Sequence, residues 1–248
     1  DSLLAASLVR DQGVAVLGMA FESPFFTADR ARAAAAAIGI PLQVVDFTPD
    51  ILELLAHPPH GFGSGLNPCI DCNARMLRRA DERRAAEGCD FLFTGELLNQ
   101  RPMSQNRRAL DLVAREAGVA DRLVRPLSAQ RLPETEVERR GWLDRARLLG
   151  LEGRSRRAHL ELAARFGIRE IPPVAGGCCL AEPNFANRLR DLRRHGRLQD
   201  LEAVRLLFHG RHFRLGPTVK LIIGRNEADN AALLRLRPRA CFLLRPAE

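Results

Sequence analysis

Lysine is almost missing from this chain. Of its 38 basic residues, Lys220 alone is not arginine. A GC-rich genome that favours Arg and Ala codons accounts for that ratio, so the ratio itself carries no function. Long apolar runs are missing too. No stretch approaches the roughly 18 consecutive apolar residues that a membrane helix needs. The start shows no basic head, apolar middle and small-residue cleavage site of a secretory leader. No internal repeat is visible, and low complexity is confined to the alanine run in 33–37. Together these absences read as a soluble, cytoplasmic protein that avoids membranes. Six cysteines in 248 residues fall short of a secreted disulfide scaffold. In a reducing compartment, clustered cysteines point to metal or redox chemistry.

What is present is enough for a packed core: 46% of the residues are hydrophobic, over a length that suits one sizeable domain and a small one. The net charge of +8 and pI of about 10.3 imply a polyanionic partner, nucleic acid first among them.

Apolar patterning predicts alternating strands and helices. "DSLLAASLVRDQG" reads as a helix with Leu3, Leu4, Leu8 and Val9 on one face and Gly13 at C′. "VAVLGMAF" reads as a buried strand, "TADRARAAAAAIG" as a helix capped by Thr27 and closed by Gly39, and "IPLQVVDF" as the next strand. A Pro- and Gly-rich loop from His57 to Pro68 follows. Then come a helix in "CNARMLRRADERRAAEG", a strand in "CDFLFTG", a helix in "NRRALDLVAREAG" and a strand in "RLVRPLS". Such alternation predicts α/β architecture, a parallel sheet flanked by helices, with ligands at the carboxyl ends of strands. "PETEVERRGWLDRARLLGLEG" and "RRAHLELAARFG" look helical. Beyond "RLRDLRRHGR" the character changes. "HFRLGPTVKLIIGRN" suggests two short strands joined at Gly216-Pro217, "EADNAALLRL" a helix and "RACFLL" a last strand. The expected division is 1–194 for the larger domain and 195–248 for a small α/β module.

Asp1-Ser2 ahead of a helix, "TGELLNQRPMSQN" and the pairs in "LNPCIDCN" and "AGGCCLAEP" stand in a suggestive order. The opening resembles the end of the PP-loop, Ser-Gly-Gly-x-Asp-Ser, of the ATP pyrophosphatases in the adenine nucleotide α-hydrolase superfamily. Only Asp1 and Ser2 of that loop are in this sequence, and the strand and Ser-Gly-Gly that precede them are not. The chain thus reads as a fragment whose first strand is missing, with weak ATP binding expected. "TGELLNQRPMSQ" is similar to the 4-thiouridine synthase stretch Thr-Gly-Glu-x-x-Gly-Gln-x-x-Ser-Gln, with Asn99 in place of Gly. The cysteine segments resemble those of 4-thiouridine synthases and 2-thiouridylases over residues 1 to about 194. The tail, Gly210 to Leu215 and Gly224 to Asn230, is similar to the RNA-binding module of NFACT proteins.

The resemblance implies an ATP-dependent tRNA sulfurtransferase. Adenylation would turn a uridine oxygen into a leaving group, and a persulfide or hydrosulfide would replace it. ATP with Mg would be held by Asp1, Ser2, Phe21, Thr94, Gly95, Glu96, Gln100, Ser104 and Gln105. Three readings compete for the cysteines. Cys69, Cys72 and Cys178 (or Cys179) can hold a [4Fe-4S] cluster. Cys72 and Cys178 can instead form a catalytic persulfide relay, with Arg75 and the helix N-terminus lowering thiol pKa. Structural zinc is the third, made awkward by adjacent Cys178 and Cys179, of which one is expected to pack. Cluster-bearing relatives carry three such cysteines, which favours the first. Cys89 and Cys241 are expected in the core. Arg193, Arg194, Arg211, Arg214, Lys220 and Arg225 are the candidate RNA contacts, alongside Arg188, Arg190 and Arg197. Phe213 suits core packing more than base stacking, and His209 and His212 suit the surface. The partners would be tRNA and a sulfur donor. Two other functions stay open: a PP-loop enzyme acting on a small molecule, and a degenerate, non-catalytic RNA-binding protein.

Overall fold

A computed structural model describes residues 1–155, 157–168, 178–236 and 242. Its elements run α1 (Ser2–Arg10), β1 (Gly18–Glu22), α2 (Asp29–Ile38), β2 (Leu42–Asp46), α3 (Thr48–Ala56) and α4 (Cys69–Ala86). Then follow β3 (Leu92–Phe93), α5 (Arg107–Ala117), β4 (Leu123–Val124), α6 (Glu136–Arg139), α7 (Arg157–Arg165) and α8 (Pro183–Arg194). α9 (Leu201–Leu206), β5 (Arg211–Arg214), β6 (Lys220–Ile223) and α10 (Glu227–Arg235) complete the order.

β1 and β2 pair in parallel, Gly18 opposite Leu42 and Glu22 opposite Asp46. β3 and β4 also pair in parallel, Leu92 opposite Leu123. β5 and β6 form an antiparallel hairpin, Arg211 opposite Ile223. Helices flank these pairs, but among the described residues no sheet exceeds two strands. The α/β class stands, and the single expected sheet resolves into two short parallel pairs.

Local chemistry explains most helix ends. Asn106 accepts the Ala109 N–H at the start of α5, and Gly118, at φ 72°, closes it. Gly39 closes α2 at φ 64°. Thr27 does not cap α2, because the N-cap falls on Ala28 and makes no side-chain bond. α3 lies where the sequence suggested no element. Pro49 sits in its first turn, and Ile51, Leu52, Leu54 and Leu55 bury one face. The helix expected over 133–153 is mostly irregular. It shrinks to the single turn of α6, with a Thr135–Glu138 capping box, and Gly141 at φ 70° ends the regularity. α4 begins at Cys69 rather than near Asn73, so both cysteines occupy its first turn. The expected last strand lies outside the described residues, Phe242 excepted.

The main core joins Phe25, Phe47, α3, Leu66, Leu180 and α8. Leu198, Val204 and Leu207 complete it from beyond residue 194, and Phe208 packs at 4.7 Å from Phe185, ring to ring. A second cluster sets α1 against Leu97, Leu127 and α7; a third sets α4 against α5. An apolar cleft of about 440 Å³ separates the two parallel pairs. Its lining runs from Gly18–Met19 and Phe21 on one side to Phe91–Glu96 on the other.

Candidate functional site

α1 opens at the carboxyl end of β3. A Cβ on Gly95 would lie 2.3 Å from the Ser2 backbone nitrogen, so only glycine allows this approach. Asp1 is the N-cap of α1, yet its carboxylate makes no capping bond. Gln100 Nε2 donates to Oδ2 at 2.9 Å, and His159 Nε2, on α7, lies 3.0 Å from Oδ1. The side chain is thus turned aside, and Asp1 does not cap the first N–H groups of α1. Uncapped helix starts favour anions.

Thr94 donates to Glu96 Oε2 at 3.0 Å, and the buried Arg125 donates to the same oxygen at 2.9 Å. Glu96 is therefore held by an inward arginine. Asn99, the departure from the expected glycine, takes φ 61°. Asn tolerates that left-handed conformation better than most residues, so the turn survives the change. Asn99 N–H donates to the Gln105 carbonyl at 2.7 Å. Ser104 and Gln105 are buried, and Gln105 Oε1 has no hydrogen-bond partner among the described residues. Phe21, Ser2 and Thr94 to Glu96 line the same cleft. The residues assigned to ATP therefore gather around one end of it, with Ser104 and Gln105 set back in the following turn.

The two cysteine segments meet across the fold. Leu66 N–H donates to the Leu180 carbonyl at 2.8 Å, and a Cβ on Gly65 would stand 2.4 Å from that oxygen. Asn67 caps the turn between them: its Oδ1 accepts the Gly65 N–H at 2.9 Å, and its Nδ2 donates to Cys69 Sγ at 3.1 Å. Burial pushes the Cys72 thiol up to about 12, and the charges of Cys178 and Cys69 push the same way. That corrects the expectation of a helix-stabilised Cys72 thiolate. Desolvation outweighs the helix terminus, and Arg75 turns away to Asp50 at 2.9 Å and Glu53 at 3.1 Å. Cys178 is exposed and behaves oppositely. The Cys179 thiol donates to it, and the Leu180 N–H and Arg101 add to the effect, so its pKa falls to about 7 against its own desolvation. Cys179 packs on the main core, its single thiol proton shared between Cys178 and the Phe25 carbonyl at 3.3 Å, which makes it the packing member of the pair. Its own pKa is raised by that bond to Cys178 and by burial.

Among the described residues, no group of three or more Cys, His, Asp or Glu side chains converges closely enough to grip a metal ion. Cys69, Cys72 and Cys178 are thus neighbours without being a ready ligand set for a [4Fe-4S] cluster or zinc. Cys89 is half-buried and lines the apolar cleft, and Cys241 lies outside the described residues.

The candidate RNA contacts divide. Arg193, Arg194 and Arg211 are exposed, Arg193 with its guanidinium 5.2 Å from the Phe62 ring. Arg214 and Lys220 are half-buried and both grip Asp191, at 2.7 and 2.9 Å. Arg225 pairs with Asp229 at 2.6 Å. Arg188 donates to the Gly210 carbonyl at 3.2 Å, Arg190 to Asn187 at 2.5 Å, and Arg197 pairs with Asp200. Strand alternation explains the split in β5. Arg211 and Phe213 face outward, while His212 and Arg214 face α8. Phe213 is 44% exposed, not core. His212 is the half-buried one, its pKa lowered to about 4 by burial.

His159, Arg101 and Arg125 were not singled out in the sequence. Each is a common residue whose role appears only when distant segments meet. His60 and Asp71 belong with them: His60 Nδ1 lies 2.6 Å from Asp71 Oδ1, in the turn of helix that carries both cysteines. Comparison with protein-family models, with curated proteins and with solved structures returns no match to this chain.

Proposed function

We propose that the protein is an ATP-dependent tRNA sulfurtransferase. The observation that supports this best is the meeting of two remote cysteine segments close to a nucleotide-type helix start. Asn73, next to Cys72, lines the cleft that Ser2 and Thr94 to Glu96 also line, and Arg101, next to the Asp1-bound Gln100, faces Cys178. The finer fold reading belongs to the same proposal. β1–β2 and β3–β4 are taken as two halves of one adenine nucleotide α-hydrolase-like sheet.

The chemistry assigned to the site is adenylation followed by displacement. A uridine carbonyl oxygen attacks the α-phosphorus of ATP, releasing pyrophosphate. The start of α1 steadies the phosphate. A sulfur donor leaves a persulfide on Cys178, whose low pKa keeps it anionic near neutrality. The terminal sulfur attacks the activated carbon and AMP departs. Cys72 then attacks the inner sulfur as its proton passes to the ring nitrogen of the departing base, giving a Cys72–Cys178 disulfide and releasing the thiocarbonyl. An external thiol reduces the disulfide. Burial holds Cys72 protonated until that last step, so the second thiol does not compete for donor sulfur. The described residues do not form the ligand set of an iron–sulfur cluster.

The test places Ser-Gly-Gly and one further residue ahead of Asp1 and supplies tRNA, ATP, Mg and a persulfide donor. Thiouridine is read by retardation in a mercury-containing gel. Cys178→Ser and Cys72→Ala should each lower thiolation at least a hundredfold. Undiminished thiolation in both variants sinks the relay. Iron and labile sulfide retained after anaerobic reconstitution would replace it with the cluster.

A further inference from the structure

A second cavity, of about 440 Å³, lies outside the site described above. Leu98, Arg107, Gln130, Arg131, Gly150 and Glu152 line it. Distant segments build it. Leu98 N–H donates to the buried Ser128 hydroxyl at 3.0 Å, and that hydroxyl donates to the Leu151 carbonyl at 2.7 Å. Gly153 N–H donates to the Leu98 carbonyl at 2.8 Å, and Gln130 N–H to the Leu149 carbonyl at 3.1 Å. Arg107 enters as the first residue of α5.

The two arginines of the lining are fixed without being neutralised. Arg107 Nη2 donates to the Arg131 carbonyl, and Arg131 Nε donates to the Gly150 carbonyl at 2.9 Å. A carbonyl holds a guanidinium in place but leaves its full charge, and most of its five N–H groups, for another partner. Arg75 and Arg122, by contrast, spend their guanidiniums on Asp50, Glu53 and Asp81. Among the described residues, Glu152 supplies the one carboxylate of the lining. It stands 3.4 Å from Arg131 Nη1 with the two side chains 42% and 53% exposed, and such exposed pairs are weak. The lining thus presents a net positive charge on donors already held in place. Arginine grips phosphate oxygens in this way, often through two N–H groups at once, and donors held beforehand lose less entropy on binding.

The charge continues beyond the cavity. Two residues past Glu152, Arg154 Nε donates to the Gln100 carbonyl at 3.3 Å, again a neutral acceptor. Gln100 in turn holds Asp1. Its neighbour Arg101 is exposed and lies near Cys178. Exposed arginines therefore lead from the cavity to the start of α1 and the acidic thiol. A lone phosphate needs one grip; a chain of phosphates uses a row.

We propose that this cavity grips the phosphodiester backbone of an RNA strand through Arg107 and Arg131, with Arg154 and Arg101 leading the strand on to Cys178. The inference rests on the RNA part of the proposed function, and not on the thiolation chemistry or on the arginines of the C-terminal hairpin.

Binding of a tRNA transcript is measured by filter retention over a salt series, with neither ATP nor sulfur donor present. Arg107→Ala and Arg131→Ala should each flatten the salt slope by about 1. The double variant should weaken binding roughly tenfold at about 0.1 M salt. Glu152→Gln frees Arg131 and should tighten binding about twofold. On the unaltered protein, bound tRNA should shield Arg107 and Arg131 from phenylglyoxal, read by mass spectrometry; this arm decides even where a variant folds poorly. Unchanged affinity and slope in the double variant overturn the proposal, and so does free labelling of both arginines beneath bound tRNA. Either result, with the wild type still binding tRNA, removes the cavity and keeps the RNA partner; a wild type that binds no tRNA removes both. Shielding by pyrophosphate equal to that by tRNA also overturns it, and assigns the cavity to a free phosphate.

Discussion

Cys178 and Cys72 belong to one site but sit in opposite electrostatic settings. Cys178 is exposed, accepts a hydrogen bond from the Cys179 thiol and lies near Arg101; Cys72 is enclosed among other acids and thiols. Alkylation by iodoacetamide should show the difference. Cys178 should react with a midpoint near pH 7, against roughly 8.5 for an ordinary cysteine. Its thiolate population is full above that midpoint and disappears as pH falls through it. Cys72 should stay unmodified at neutral pH in the folded protein. Cys179→Ala should move the Cys178 midpoint upward, because the strongest lowering influence is then gone; mass spectrometry after timed labelling reads all three. The cysteine pairs themselves were legible from sequence, in order and in kind. Which thiol is acidic was not. Arg75, three residues after Cys72, looked like its activator, yet Asp50 and Glu53 capture it. Asp1 was legible too, but its holder His159 was not, because a lone histidine in a short helix carries no signal until α7 is placed beside α1.

At the scale of elements, α8 joins the site to the C-terminal hairpin. Its inner face buries Phe185, Ala186, Leu189 and Leu192, and its outer face carries Asp191. That carboxylate accepts from both Arg214 and Lys220, and their donation holds its pKa well below the usual carboxylate range. A carboxyl whose folded pKa is depressed stabilises above its unfolded pKa of about 3.9 and loses that stabilisation as pH falls through the folded value. Asp191→Asn should therefore cost roughly 1–2 kcal/mol at pH 7. The difference between wild type and variant should shrink as pH drops below about 4, which urea titration at several pH values measures. Elements with caps were readable in advance: Asn106 and Gly118 bracket α5, and Gly39 ends α2. The region 133–153 was misread because its many helix-forming residues are interrupted by Gly141 and divided between short turns. α3 was overlooked because only nine residues carry its pattern, against a strand on one side and a Pro/Gly loop on the other.

At the scale of the molecule, the excess charge is not spread evenly in its availability. Arg214, Lys220 and Arg225 are committed to internal carboxylates, whereas Arg193, Arg194 and Arg211 are exposed. If tRNA is the partner, affinity should fall steeply with salt. Arg194→Ala and Arg211→Ala should each weaken binding uniformly across sequences and flatten the salt slope by about 1. Filter binding across a salt series checks this; a slope that neither variant changes would place the RNA elsewhere. No helix among the described residues is long and apolar enough to cross a membrane. Overall charge was visible in the composition, but its division between ion pairs and open surface follows from which side of β5 and α8 each arginine occupies.

The length of α8 has one more consequence. It starts directly after Cys178–Ala181 and, over twelve residues, reaches about 18 Å at ~1.5 Å per residue. Asp191, the ninth residue, anchors the hairpin about 12 Å along it, at ~1.5 Å per residue. The exposed thiol and the outward face of Arg211 and Phe213 are therefore held apart by a rod that is itself packed into the core, so the protein carries a built-in ruler. If the hairpin grips a polymer and Cys178 carries the sulfur, the polymer would present to the thiol only what lies one fixed span away. Changing that span by a helical turn would change which part of the polymer is reached without touching either end.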